Sequence, residues 1–178
     1  MRTFQATTVY AGESVRENLR RGAFRQIYPG FFPTLLDTRG AREARRNADL
    51  YVEDVMQWLG LERVADQIAS SLPYGIQKVL GMGIGLAARP RLILLDEPVA
   101  GLSAEETDHV RDTIRLVRER GIAVVVIDHN MCFIADLCDR VLVMAQGREL
   151  ARGKPNEVLR NPAVIEAYLG KRYAKAQH

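Results

Sequence analysis

The chain has 178 residues, of which 47% are hydrophobic and 26% are charged, and its formal net charge is +3. This length and composition suit one globular domain with a buried core and argue against an intrinsically disordered protein. So small a charge does not indicate a nucleic-acid-binding protein, and no apolar run approaches the ~20 residues that a membrane-spanning helix needs.

The first third of the chain is predicted to be mainly helical. A short helix is expected over Glu13–Arg21, followed by a loop rich in aromatic residues, Gly and Pro. A longer helix is expected over Ala41–Leu59 and ends at Gly60. Its apolar residues recur at helical spacing and predict its buried face, namely Leu50, Val52, Val55, Met56 and Leu59. A third helix is expected over Gly75–Ala88, and Pro90 separates it from the next element.

The remainder alternates apolar strands with helices. The runs LILLD (92–96) and IAVVVI (122–127) have no polar alternation, which is typical of parallel strands covered on both faces. A helix with a capping box, Ser103 and Glu106, is expected between them and extends to about Arg120. Further elements are predicted to be a helix over Asn130–Leu137, a hairpin of RVLVMA and RELARG turning at Gln146-Gly147, and short helices over Pro155–Arg160 and Pro162–Leu169. Cys132 and Cys138 are predicted to be buried, reduced thiols.

Chemically active side chains follow two of the predicted strands. Asp96 and Glu97 come at the end of one, and Asp128 and His129 come directly after the other. Because ligands bind at the carboxyl ends of parallel strands, these groups are expected at one functional edge. An Asp there can hold Mg²⁺, a Glu can polarise water, and a His can contact a terminal phosphate. An ion pair or a helix cap would be the simple alternative for any one of them taken alone.

Five motifs in order resemble those of the nucleotide-binding subunits of ABC transporters. LILLDEP resembles the Walker B strand with its catalytic glutamate, and VVVIDHN resembles the switch strand with its histidine. TFQ, LPYGIQK and VAGLS resemble the Q-loop, the signature and the D-loop. The finer resemblance is to ATPases that import branched-chain amino acids, through DEPVAGLSAEE and NPAVIEAYLG. Lipopolysaccharide-export ATPases share a similar tail.

The resemblance implies a fold, a division of the chain and a set of roles. The expected fold is a partial P-loop NTPase (ABC ATPase) α/β fold with a mostly parallel sheet and a helical subdomain. Residues 1–90 would form the Q-loop and helical subdomain, 91–152 the Walker B and switch part, and 153–178 a helical tail. Glu97 and His129 would be catalytic, and Asp96 and Gln5 would bind Mg²⁺. ATP would be contacted by these residues and by Pro73, Tyr74, Gly75, Gln77, Gly101 and Ser103.

The signature and the D-loop depart from the family pattern. Pro73 stands for the usual serine, Tyr74 for the first glycine and Ile76 for the glutamine, while Ser103 replaces the usual aspartate of the D-loop. Proline cannot donate the hydroxyl hydrogen bond of serine, so contact with the ATP of a second subunit would rest on Gly75 and nearby N–H groups.

A phosphate-binding loop is the motif that the sequence lacks. No G-x-x-x-x-G-K-[ST] pattern occurs, and the glycines of GMGIGLAARP do not follow a strand, so they predict a closely packed helix. The resemblance begins at the Q-loop, and the chain is expected to be a fragment or a truncated product of a longer cassette. Alone, it is expected to be nearly inactive and marginally stable.

The leading hypothesis is therefore an ATPase module of an ABC importer for branched-chain amino acids or related solutes. Its expected partners are a second ABC ATPase subunit, in a homodimer or a heterodimer, and transmembrane permease subunits, with no nucleic acid. It would lie on the cytoplasmic face of the plasma membrane. The alternatives are a catalytically silent partner of a complete ABC ATPase and a soluble ABC ATPase acting on DNA or ribosomes. The tail and the absence of a basic stripe argue against the last.

Overall fold

The computed structural model describes residues 2–3, 9–24 and 38–169, which fall into two compact units, Met1–Ile127 and Asp128–His178. The first unit contains, in chain order, β1 (Arg2–Thr3), α1 (Val15–Gly22), α2 (Arg39–Trp58), α3 (Tyr74–Ala87), β2 (Leu92–Asp96), α4 (Ala104–Glu119) and β3 (Ala123–Ile127). Two short 3₁₀ helices, Glu62–Val64 and Ala69–Ser71, lie between α2 and α3. The predicted three-part division, with boundaries after residues 90 and 152, stays a prediction.

The first helices begin at capping side chains that sequence periodicity alone did not identify. The Ser14 hydroxyl accepts the Glu17 N–H at 3.2 Å, and the Thr38 hydroxyl accepts the Ala41 N–H at 3.2 Å. Each bond satisfies one of the N–H groups that the first helical turn leaves without a partner. The three predicted helices are thus confirmed, with starts displaced by one or two residues.

Close packing around α3 forms the core of the helical part. A β-carbon added to Gly83 would lie 2.6 Å from Cδ1 of Leu59 and 2.7 Å from Cδ2 of Leu19, so any larger residue there would require these leucine side chains to move. This confirms that GMGIGLAARP is a packed helix. On α2, Val52, Val55 and Met56 are buried as predicted. Leu50 is 57% exposed, because the helix turns it away from the core and buries Ala48 instead.

The three strands of the first unit form a parallel sheet in the order β1-β2-β3. Arg2 and Thr3 pair with Leu94 and Leu95. Leu92 to Asp96 pair with Ala123 to Ile127 in register, so both strands end at the same edge. The predicted parallel sheet is confirmed.

One face of this sheet is covered and the other is not, within the described residues. Ile93 and Leu95 are buried, whereas Leu92, Val125 and Ile127 are 46%, 42% and 50% exposed. The prediction that both strands are covered on both faces was wrong. A purely apolar run can show that both faces suit burial, but it does not supply the element that would cover them.

The second unit contains α5 (Met131–Leu137), β4 (Val141–Ala145), β5 (Arg148–Gly153), α6 (Pro155–Val158) and α7 (Pro162–Leu169). β4 and β5 form the predicted antiparallel hairpin, and its turn places Gln146 and Gly147 at φ of +50° and +76°. Val143, Val158 and Val164 form a small core. Both cysteines are free thiols, as predicted, but the predicted burial was wrong, since Cys132 is exposed and Cys138, which ends α5, is half-buried.

Candidate functional site at the carboxyl end of the parallel sheet

Asp96 and Glu97 lie at the carboxyl end of β2, where the chain turns sharply out of the sheet. Asp96 is the last residue of the strand and pairs with Ile127 of β3. Glu97 has a φ of +47°, a left-handed conformation that is rare for a residue other than glycine. Such a conformation costs about 1–3 kcal/mol and is found at functional sites, where the surrounding structure holds it. The sequence predicted the position of Glu97 but not this backbone geometry.

The turn after Glu97 leads directly into α4. The Ala100 and Leu102 N–H groups donate to the Glu97 and Val99 carbonyls, both at 3.2 Å, and Gly101 between them has a φ of +77°. Ser103 then caps α4. Its hydroxyl accepts the Glu106 N–H at 3.2 Å, while the Glu106 carboxylate accepts the Ser103 N–H at 2.9 Å. The predicted capping box is confirmed, so Ser103 has a structural role in addition to its predicted place in the D-loop.

The first turn of α3 carries the signature residues. Pro73 precedes the helix and makes no capping bond, as its chemistry predicts. Gln77 is turned back toward the loop, and its Nε2 donates to the Leu72 carbonyl at 2.9 Å. Tyr74 is 48% exposed. A β-carbon on Gly101 would lie 3.6 Å from Cε1 of Tyr74, so the structure brings the signature and the D-loop together.

Gly75 lies against a carboxylate that sequence reasoning did not connect with it. A β-carbon at this position would be 2.6 Å from Oε1 of Glu106. Hydrogen bonding with the Ser103 backbone and side chain holds the pKa of Glu106 below its ordinary value; desolvation opposes this shift, and the Gly75 backbone makes a smaller lowering contribution. Glu106 therefore caps α4 and also lies against the first turn of α3.

Lys78 is a second residue that the sequence did not single out. It is only 9% exposed, and its Nζ donates to the Glu97 carbonyl at 2.9 Å. The signal that could have identified it is its charge, because it is the only charged residue among the 14 of α3, Tyr74–Ala87. A buried ammonium group needs a hydrogen-bonding partner.

His129 belongs to the second unit and precedes α5. Its side chain is 71% exposed, whereas that of Asp128 is 1% exposed. Oδ1 of Asp128 accepts the Asn130 N–H at 2.8 Å and lies 3.9 Å from Nδ1 of His129. Oδ2 is buried without a hydrogen-bond partner among the described residues. Asn130 caps α5 through the Phe133 N–H at 3.1 Å, so this segment presents an exposed imidazole on a fixed turn.

Gln5, predicted to contact Mg²⁺, lies outside the described residues. Among the residues that are described, no three His, Cys, Asp or Glu side chains are grouped as a metal cage would require. A groove of about 370 Å³ runs along α2, and it contains none of the predicted site residues; its lining is Arg42, Arg45, Arg46, Asp49, Leu50 and Glu53. None of the helices in residues 9–24 and 38–169 has the length and apolar character that crossing a bilayer demands.

Comparison with known proteins identifies relatives along nearly the whole chain. Residues 2–100 match the ABC transporter family, and residues 148–174 match the family described as branched-chain amino acid ATP-binding cassette transporter. The high-affinity branched-chain amino acid transport ATP-binding protein BraF of Pseudomonas aeruginosa is 34% identical over 171 residues, covering 96% of this chain and 67% of the relative. The corresponding protein LivG of Salmonella typhimurium is 35% identical, with the same coverage.

The fold is similar to that of solved ATP-binding cassettes. The ADP conformation of MJ1267, an ATP-binding cassette of an ABC transporter, superposes with a TM-score of 0.78 at 25% identity, covering 96% of this chain and 68% of that one. This similarity confirms the predicted ABC ATPase fold, and it shows that a member of the family binds a nucleotide. The match to residues 2–100 spans more than half of the 178 residues. The chain therefore belongs to the ABC transporter family, as an ATP-binding subunit homologous to branched-chain amino acid transport ATP-binding proteins.

Proposed function

We propose that this chain works as the ATP-hydrolysing subunit of an importer for branched-chain amino acids or related solutes. The observation that carries the proposal is the similarity of 96% of the chain to two transport ATP-binding proteins of that solute class. In the proposed assembly the chain pairs with a second ABC ATPase subunit and docks on permease subunits at the inner face of the plasma membrane. Hydrolysis drives closing and reopening of the pair.

Glu97 is proposed as the general base that polarises the attacking water. Its carboxylate belongs to a residue at the carboxyl edge of a parallel sheet, where ligands of such sheets bind. The left-handed backbone and the bond of its N–H to the Ile127 carbonyl at 2.7 Å support a fixed position. A general base needs such positioning within hydrogen-bond reach of the proton that it removes. His129, with an exposed imidazole, is proposed to contact the terminal phosphate.

Asp96 is proposed to hold Mg²⁺ together with Gln5 and the phosphates of ATP. Mg²⁺ typically keeps several water ligands and binds through one or two carboxylates and the phosphates of a substrate. A single strand-end carboxylate fits this pattern, and the lack of a three-residue cage among the described residues is compatible with it. When bound, the metal would neutralise charge on the phosphate oxygens.

The signature residues Pro73, Tyr74, Gly75 and Gln77, with Gly101 and Ser103, are proposed to face the ATP of the second subunit. A phosphate approaching the N-terminus of α3 would meet the Glu106 carboxylate, whose Oε1 lies 2.6 Å from where a β-carbon on Gly75 would be. Because two neighbouring anions repel each other, this contact requires Glu106 to turn away from Gly75.

The test is ATP hydrolysis by the transporter complex isolated through a tag on this chain, together with uptake of radiolabelled leucine by proteoliposomes. Glu97→Gln should lower turnover by about 10²- to 10⁴-fold, the usual contribution of a general base, while ATP binding persists. Glu105→Gln is the matched control, because Glu105 is an exposed acidic residue in the first turn of α4. Unchanged turnover in Glu97→Gln would contradict the proposal and favour the catalytically silent partner.

A further inference from the structure

The N–H and the carbonyl of Glu97 both form hydrogen bonds, and these bonds connect the residue to different elements. Its N–H donates to the Ile127 carbonyl of β3 at 2.7 Å. Its carbonyl accepts the Lys78 Nζ at 2.9 Å and the Ala100 N–H at 3.2 Å. A residue at a φ of +47° persists only where its surroundings compensate for the strain. Here β3 supplies one compensating bond and α3 supplies another.

Lys78 is a buried cationic residue, and its ammonium group donates a hydrogen bond to this backbone carbonyl. Removing an ammonium group from water is unfavourable unless hydrogen bonds compensate for it. The Lys78 side chain is nevertheless buried between α3 and the turn. Hydrogen bonds from a charged donor are roughly twice as strong as neutral ones. The ring of Tyr74, whose centroid is 5.5 Å from Nζ, adds a favourable contact one turn earlier on the same helix.

We infer that Lys78 is a positioning residue for hydrolysis, which holds the Glu97 backbone so that the carboxylate points at the attacking water. The inference rests on the proposed function, since it acts through Glu97. It also links two parts of the site, because Lys78 lies one helical turn after Tyr74 and Gly75 of the signature. A shift of α3 that follows contact with nucleotide is transmitted to Glu97 through one hydrogen bond.

The central experiment measures kcat and KM for ATP in the tagged transporter complex with Lys78→Met and Lys78→Arg. Methionine keeps the apolar stem and removes the donor, so kcat should fall by about 10²-fold, the effect of a small misplacement of a catalytic group. KM should stay within about twofold, because a positioning role affects the transition state rather than uniform binding. Arginine keeps a charged donor and should recover at least part of kcat.

A double-mutant cycle separates positioning from a merely structural role. In the Glu97→Gln background the carboxylate is already absent, so Lys78→Met should leave the residual turnover unchanged. If Lys78 only stabilised the fold, Lys78→Met would lower the residual turnover as well, and the inference would be overturned. Thermal unfolding of each variant identifies loss of fold, and if Lys78→Met does not fold, Lys78→Leu, which also lacks a donor, replaces it with the same expected results.

The possible failures are distinguishable. Normal kcat in Lys78→Met, with Glu97→Gln inactive in the same preparation, would overturn the positioning role and leave the proposed function intact. Normal turnover in Glu97→Gln would instead remove the proposed function on which the inference rests. A large rise in KM with unchanged kcat in Lys78→Met would likewise overturn the inference, because it would show a role in binding nucleotide.

Discussion

Gly75 and Glu106 are in such close contact that the carboxylate occupies the space where any other residue at position 75 would place its β-carbon. The distance from that β-carbon to Oε1 would be 2.6 Å, and those to Cδ and Cγ would be 3.0 and 3.1 Å. A real β-carbon does not approach a neighbour so closely, so one of the two groups must move. The contact joins the start of α3 to the capping box of α4.

Gly75→Ala tests this contact through its dependence on Glu106. In the wild type, the new methyl group should displace the Glu106 carboxylate and lower the free energy of unfolding, because a lost capping interaction costs about 0.5–2 kcal/mol. In a Glu106→Ala background the obstacle is absent, and the same change should stabilise by up to about 1 kcal/mol through helix propensity. Urea unfolding of the wild type, Gly75→Ala, Glu106→Ala and the double mutant gives the change in free energy of unfolding in each background. Additive effects would show that the two residues do not interact.

The lowered pKa of Glu106 predicts a pH dependence of stability. Its ordinary value is 4.5, and the hydrogen bonds from Ser103 and Gly75 lower it in the folded state. A carboxyl group whose folded pKa is lowered contributes stability above 4.5, and this contribution is lost as the pH falls through the folded pKa. The wild type should therefore exceed Glu106→Gln in stability at neutral pH, and the difference should shrink in acid. Thermal unfolding from pH 7 to about pH 3 measures it.

Glu105→Gln is the control for this titration, since its position in the first turn of α4 exposes it to the same helix dipole. The difference in thermal stability between Glu105→Gln and the wild type should vary less with pH than the difference between Glu106→Gln and the wild type. An equal variation in the two mutants would mean that the helix dipole, and not the capping geometry, lowers the pKa of Glu106.

Gly83→Ala should destabilise the helical core. Its β-carbon would meet Cδ1 of Leu59 at 2.6 Å and Cδ2 of Leu19 at 2.7 Å, and overpacking of this kind costs about 1–3 kcal/mol. Gly40 is the matched control, because it also lies in a helix, α2, and has no neighbour within 4 Å of a β-carbon. Gly40→Ala should stabilise by up to about 1 kcal/mol. Chemical denaturation measures the free energy of unfolding of both variants. Equal effects of the two substitutions would contradict the close packing of Gly83 against Leu19 and Leu59.

The elements that sequence reasoning placed well are those with local causes. Ser103 and Glu106 are three residues apart, so a capping box can be predicted from the chain itself. The apolar run of β2 and the turn at Gln146-Gly147 are equally local signals. Asp96 and Glu97 could be assigned to the edge of a sheet because parallel strands bring their carboxyl ends together.

The contacts that the sequence could not provide join residues distant along the chain. Lys78 and the Glu97 carbonyl are 19 residues apart, and nothing in the local pattern of α3 specifies which acceptor the ammonium group finds. The contact of Gly75 with Glu106 arises from the packing of two helices. The left-handed backbone of Glu97 was unpredictable for a similar reason, because a non-glycine residue adopts it only when tertiary bonds compensate.

The hydrogen bond from the Glu97 N–H to the Ile127 carbonyl continues the β2–β3 ladder one residue beyond the end of the strand. The amide of Glu97 is therefore anchored by the main chain of the sheet, and its orientation does not depend on which aliphatic side chain occupies a given strand position. Valine, isoleucine and leucine could therefore replace one another along β2 and β3 while the acidic group stays in the same place. Aliphatic side chains in the strands can therefore vary while the backbone geometry at the carboxyl end of β2 stays the same.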